Sequence, residues 1–170
     1  MYLRIDLLKD MTEQMKLDIR KAEISALNQV VREAKKVAAD ELNAVYNIQK
    51  RDINRAIKVE TAKAGNLRAN LSVTGKKLPL IDFSARKNKQ GVSIEIKRGG
   101  RKVLTHAFMP TMPTGHKGVF TRKGKGRLPI QEKFTQSIPQ FFGSGNILNR
   151  IDEFVRRRLP ELFNQERNKL

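Results

Sequence analysis

The chain has 170 residues, no Cys, 35 Lys or Arg against 17 Asp or Glu, and a formal net charge of +18. That length fits a single domain, residues 1–170, with one core, and the lack of Cys excludes disulfides and thiolate metal sites. No apolar run approaches the ~18 residues of a membrane span. The start MYLRIDLLKDM carries Asp6 and Asp10 where a secretory leader needs apolar residues, so synthesis in the cytoplasm without a membrane is expected.

Apolar side chains recur at Met11, Met15, Ile19, Ala22, Ala26, Val30, Ala34 and Val37, steps of three and four that predict one helix from about Met11 to about Tyr46. Asp10 and Glu13 suit its first turn as a capping box variant. Such a helix is about 50 Å long at 1.5 Å per residue, more than one small core covers. Ala26, Val30, Ala34 and Val37 are therefore candidate contacts with another subunit. A short helix over about Ile48–Ala56 completes a helical region, 1–56.

Alternation takes over from residue 57. Ile57, Val59 and Thr61, then Leu67, Ala69, Leu71 and Val73, predict a hairpin turning at Ala64-Gly65-Asn66. Val92, Ile94 and Ile96, then Val103, Thr105 and Ala107, predict a second one turning at Gly99-Gly100. Pro110, Pro113 and Gly115 interrupt this sheet, Val119-Phe120 is expected as a last strand, and Thr121–Gly126 is a basic tip. Phe120, Leu128 and Ile130 flank the tip and read as its anchors. After this β region, 57–130, Ile147, Ile151, Phe154, Val155 and Leu159 predict a helix that Pro160 ends or kinks, within a C-terminal helical region, 131–170. The fold class is α+β: a long N-terminal helix packed on a small antiparallel sheet of four or five strands, with a C-terminal helix.

Charge is concentrated in one place. Residues 86–127 hold twelve Lys or Arg and one acid, Glu95, which is +11 of the total +18. Such an excess repels itself unless something anionic or much water lies beside it, so the basic tip reads either as a solvated loop or as a contact with nucleic acid, an anionic surface or an acidic protein face. Arg122, Lys123, Lys125 and Arg127 sit among glycines that give no apolar cover, and Arg98, Arg101, Lys102 and Lys117 lie in neighbouring turns; these eight are the candidate DNA- or partner-contacting residues. Phe108 and Phe120 are the only aromatic residues there, too few for a base-stacking platform, so DNA contact would be to the backbone.

Catalytic patterns are weak. His106 and His116 have no spacing for a metal site, Ser84, Ser93 and Ser144 lack a nucleophile context, and the glycines at 118, 124 and 126 form no P-loop, so no catalytic, cofactor or metal residue is assigned. Asp82 followed by Glu95-Ile96-Lys97 is similar to the carboxylate-and-lysine set of magnesium-dependent nucleases, although a Glu-X-Lys triplet on a half-exposed strand is common. That nuclease reading and a general nucleic-acid-binding protein are the alternatives.

The stretch from Leu78 to Phe142 resembles the minor tail protein Z family of tailed bacteriophages and prophages. The resemblance rests on Leu80–Phe83, Gly91-Val92, Ala107-Phe108, His116–Arg122, Arg127–Ile130 and Gln136-Ser137-Ile138-Pro139, in that order and spacing. Gln136 stands where Gly-Pro is more usual. It implies a non-enzymatic virion part without a cofactor, a tail completion protein at the head-proximal end of a long tail. The partners implied are further copies of itself in a ring of six, tail terminator, tail tube or head–tail connector proteins, and phage DNA through its backbone.

Overall fold

The stripe read from the sequence forms one continuous helix, α1 (Leu3–Val45), in a computed structural model that describes residues 3–144 and 146–170, with side chains from residue 10 onward. Because α1 starts at Leu3, Asp10 and Glu13 lie inside it and do not cap it; Glu13 pairs with Lys16 at 2.7 Å. A second helix, α2 (Lys50–Ala56), leads into β1 (Ile57–Glu60), which pairs with β2 (Asn70–Val73). This is the first expected hairpin. Lys63 and Asn66 exchange backbone hydrogen bonds across Ala64-Gly65 at 3.0 and 2.9 Å.

β3 (Lys77–Pro79) runs into a 3-10 turn (Leu80–Asp82), followed by β4 (Arg86–Asn88), β5 (Gly91–Lys97) and β6 (Gly100–Thr105). Gly99, at φ 73°, makes the expected β5–β6 turn. Then come β7 (Phe120–Arg122), β8 (Ile130–Glu132), β9 (Phe134–Ser137), α3 (Ile138–Gly143) and α4 (Ile147–Arg167). The fold is α+β, with a long N-terminal helix, small antiparallel sheets and a C-terminal helix. The single sheet of four or five strands is corrected: β4-β5-β6 form one sheet, and β1-β2, β3-β9 and β7-β8 are separate pairs. Pro79, Pro110, Pro113 and Pro129 each withhold a ladder donor where a wider sheet would continue.

The described chain divides into two compact units. One takes α1 up to Val37, Lys58–Ser72 and Leu148–Leu170. Its core joins Ala26, Val30 and Leu162, with Val155, Leu159 and Phe163 packed on them. The small side chain of Ala26 lets α4 approach α1 closely. Two polar ties flank this contact: Arg158 Nε donates to Glu33 Oε2 at 2.9 Å, and Gln29 Nε2 to Glu166 Oε1 at 3.0 Å. Asn28 acts as a strand mimic, accepting the Ala62 N–H at 2.7 Å and donating to the Ala62 carbonyl at 3.1 Å. Pro160 does not end α4. Carrying the helix on buries Leu162 to 1% exposure and packs Phe163, about 1.5–3 kcal/mol per fully buried side chain, which offsets the roughly 3 kcal/mol of an interior proline.

The other unit takes Ala38–Ile57 and Val73–Ile147. Leu80, Val92, Ile94, Ala107 and Val119 make one cluster under the β4-β5-β6 sheet. Tyr46 and Phe141 pack ring to ring at 4.6 Å, and the Tyr46 hydroxyl lies 2.8 Å from Ser144 Oγ. The Gln136–Pro139 stretch becomes a helix start: the Ser137 N–H donates to Gln140 Oε1 at 2.9 Å and Pro139 occupies the first turn of α3.

Candidate functional site

The basic tip is the turn of a β-hairpin. β7 pairs with β8 through Phe120 and Glu132, Thr121 and Gln131, and Arg122 and Ile130, so residues 123–129 project as its loop. The Leu128–Pro129 peptide is cis, and the Lys123 N–H donates to the Pro129 carbonyl at 3.1 Å. Beneath the tip, the motif residues interlock. Val119 and Ala107 enter the core, Phe120 exchanges two 2.9 Å backbone hydrogen bonds with Phe108, and the Arg122 guanidinium lies 5.5 Å from the centre of the Phe108 ring. His116 Nε2 meets Glu132 Oε1 at 3.1 Å. Gly118 sits beneath that carboxylate, where a Cβ would stand 2.5 Å from Glu132 Oε1. The root is fixed and the cations are outside it.

The anchoring expectation holds in part. Phe120 is buried and Ile130 half-buried, but Leu128 is 73% exposed, within a loop whose residues from Arg122 to Pro129 are all exposed. Leu128→Ala is therefore expected to change stability by under ~0.5 kcal/mol, as surface sites do, whereas Phe120→Ala costs roughly 3–5 kcal/mol. Denaturant melts of the two variants check this pair; equal losses would mean that the loop packs as a unit.

The eight candidate cations fall into two groups. Arg98 and Arg101 are engaged by the fold: Arg98 Nε donates to the Asn43 carbonyl at 2.6 Å and its N–H to Val45 at 3.1 Å, at the negative end of α1. Arg101 pairs with Glu95 at 3.0 Å and donates to the Ser84 carbonyl and to Ser93 Oγ, both at 3.1 Å. Lys102, Lys117, Arg122, Lys123, Lys125 and Arg127 are exposed, and among the described residues no ion pair involves them. Sequence reading missed His106, which stands at the hairpin root with φ 61°; a histidine in that conformation gives no sequence signal.

The candidate oligomer stripe is placed differently from its reading. Ala26 and Val30 are covered by this chain's own α4, Ala34 is buried, and Val37 is half-buried. The exposed part of the stripe lies earlier, at Met11, Met15 and Ile19, with Leu17 beside it.

The nuclease residues are not assembled for metal. Glu95 Oε1 accepts the Gly99 N–H at 2.9 Å and Oε2 the Arg101 pair, and the Gly99 bond first, then Arg101, holds its carboxyl below the usual range. Asp82 lies in the 3-10 turn; desolvation, with the Asp52 charge adding, raises its carboxyl above the usual range. Among the described residues no group of three or more His, Cys, Asp or Glu side chains could hold a metal ion.

Fold and site together define a basic α+β protein whose accessible chemistry is a rigidly rooted cationic hairpin. The chain belongs to the family described as Prophage minor tail protein Z (GPZ), whose model matches residues 5–166. It is thus a bacteriophage minor tail protein, a virion component. Among the described residues no helix is long and apolar enough to cross a membrane. No curated protein and no solved structure matches the chain.

Proposed function

We propose that this minor tail protein completes the tail at its head-proximal end and helps join tail to head. It acts there as a homo-oligomeric ring of six, beside tail terminator, tail tube or head–tail connector proteins, with its hairpins touching the backbone of phage DNA. One observation carries the DNA contact: Arg122, Lys123, Lys125 and Arg127 project on a fixed hairpin and have no ion-pair partner among the described residues. A ring multiplies such weak phosphate contacts into a strong one. Two apolar features of one unit support the ring. The exposed Met11, Met15 and Ile19 form a knob, and a groove of about 490 Å³ lined by the apolar Ala26, Leu27, Leu67, Leu159, Pro160 and Phe163, with Glu23 also in its lining, forms a socket. A knob and a socket on different patches of one chain make a head-to-tail contact, the kind that builds a ring where the rotation between neighbours closes.

The test replaces Arg122, Lys123, Lys125 and Arg127 together with Gln. Exposed cations contribute little to stability, so the variant folds. Its particles are expected to lose infectivity, with the leading DNA end misplaced in images of their necks. Duplex binding should lose about 0.9 from its log K against log salt slope per lost contact. Normal infectivity with normal DNA placement overturns the role of the hairpin. Failed joining with unchanged DNA affinity moves the contact to an acidic neighbouring ring.

A further inference from the structure

At the root of the hairpin, the ladder between the end of β6 and β7 is interrupted. Phe108 and Phe120 are bridged antiparallel, and continuing their register outward sets Ala107 against Thr121 and His106 against Arg122. Those pairs do not form. His106 adopts φ 61°, its N–H is donated to the Gln90 carbonyl at 3.1 Å, and the Ala107 N–H goes back to the Leu104 carbonyl at 3.4 Å. The chain therefore peels away from β7 and leaves an open cleft of about 570 Å³, lined by Thr105, His106, Thr121, Arg122 and Gly124.

We propose that this cleft is a seat for a backbone phosphate of duplex DNA; the inference rests on the DNA contact proposed above and names where it is made. The lining holds two hydroxyls, an imidazole and a guanidinium, all able to donate to phosphate oxygens, and no carboxylate. Arg122 is prepared for the task. Its guanidinium carbon lies 5.5 Å from the centre of the Phe108 ring, a cation–π contact that uses none of its N–H donors, and among the described residues no acid pairs with it. His106 is held in a left-handed conformation that costs an ordinary residue about 1–2 kcal/mol and glycine almost nothing. Strain of this kind gathers at binding sites, and here it turns the chain out of the ladder to open the cleft. Lys123 follows on the tip side, and Lys87 and Lys89 line the adjoining hollow that shares His106, so a strand lying across the cleft meets cations on both sides. Bases are not read. Phe108 is half-buried with Arg122 beside its ring and Phe120 is buried, so the two do not make a stacking platform.

The experiment uses the full-length protein, a short duplex of random sequence and, separately, inorganic phosphate and an oligoglutamate peptide. Backbone amide shifts of Thr105, His106, Thr121 and Gly124 are followed in each titration, alongside duplex affinity at several salt concentrations. Duplex is expected to move all four amides. Arg122→Gln should weaken binding about tenfold or more, as loss of a charged hydrogen bond does, and flatten the salt slope by about 0.9. His106→Gly is the sharper variant: it relieves the strained backbone, so the melt is unchanged or raised, yet duplex binding falls several-fold. A merely structural histidine would give the opposite pattern. The cleft is overturned, with the hairpin reading intact, where duplex binds but these amides stay still and His106→Gly binds like the wild type. Movement with oligoglutamate and not with duplex makes it a protein-docking site and overturns the phosphate seat. Movement with inorganic phosphate alone, and no duplex binding at low salt, overturns both this seat and the DNA contact.

Discussion

Val30→Asp is expected to unfold the α1–α4 unit, at a cost of several kcal/mol. Val30 is 4% exposed and shares a cluster with Ala26 and Leu162, each 1% exposed. The substitution removes an apolar contact and brings in a carboxylate, and burying a polar group without a hydrogen bond costs roughly 2–7 kcal/mol by itself. Its surroundings worsen the loss, because Glu33 and Glu166 are the neighbouring acids on this face. Arg158, the nearby cation, is already bound to Glu33 and Glu161, both at 2.9 Å. Leu162→Ala, the neutral counterpart, should cost about 2–5 kcal/mol. Hydrogen exchange locates the damage: α4 amides lose protection while those of β5 keep theirs. Acid adds a second handle on the same unit. Lys169, then Ser25 and Gln29, draw the Glu166 carboxyl down to about 2. A lowered folded value gives stability that is present above the ordinary Glu range and is lost as pH falls toward 2. Retained α4 protection in Val30→Asp would show that Val30 does not hold the two helices together.

Periodicity made the long helix and both expected hairpins legible, because α1 and β5–β6 repeat their apolar positions over enough residues to declare a period. The short elements escaped for physical reasons. Ile130-Gln131-Glu132 forms β8 only because the fixed root of β7 lies opposite it, and Pro129 just before it reads as a break. The α3 segment starts with Ile-Pro, which reads as a loop; its signal was Ser137 with Gln140 three residues later. Charge was easy to locate and hard to interpret. Arg98 and Lys123 look alike in the sequence, yet one is tied to the carbonyl end of α1 and the other has no ion-pair partner among the described residues, since acceptor carbonyls leave no mark in composition. The α1 stripe has the same ambiguity. Its repeat demands a partner, and nothing in the repeat says that α4 of the same chain supplies it for Ala26 and Val30.

Where α4 ends, that stripe continues uncovered, and the second large effect is expected there. α4 follows α1 from Arg158 beside Glu33 to Glu166 beside Gln29, then stops at Arg167. Met11 is 54%, Met15 61% and Ile19 41% exposed on the turns beyond. Unbranched Met side chains adapt to an irregular apolar surface, such as the groove beside Leu67, Leu159 and Phe163. Met15→Asp puts a charge in the middle of the proposed knob. In the free subunit that carboxylate stays in water, so the melt should move by under ~0.5 kcal/mol. In the docked state it is desolvated against apolar walls at a cost of several kcal/mol, repeated at every interface of a closed ring. Light scattering of the wild type, alone or with tail tubes, should give the mass of a ring, and Met15→Asp a monomer of unchanged helix content. Phe163→Asp, which alters the socket, should fail in the same way, and mixing the two variants should still not close a ring, since every closed ring needs each copy to offer both surfaces. A wild-type monomer under both conditions, or a ring that survives Met15→Asp, removes the knob and socket from the assembly.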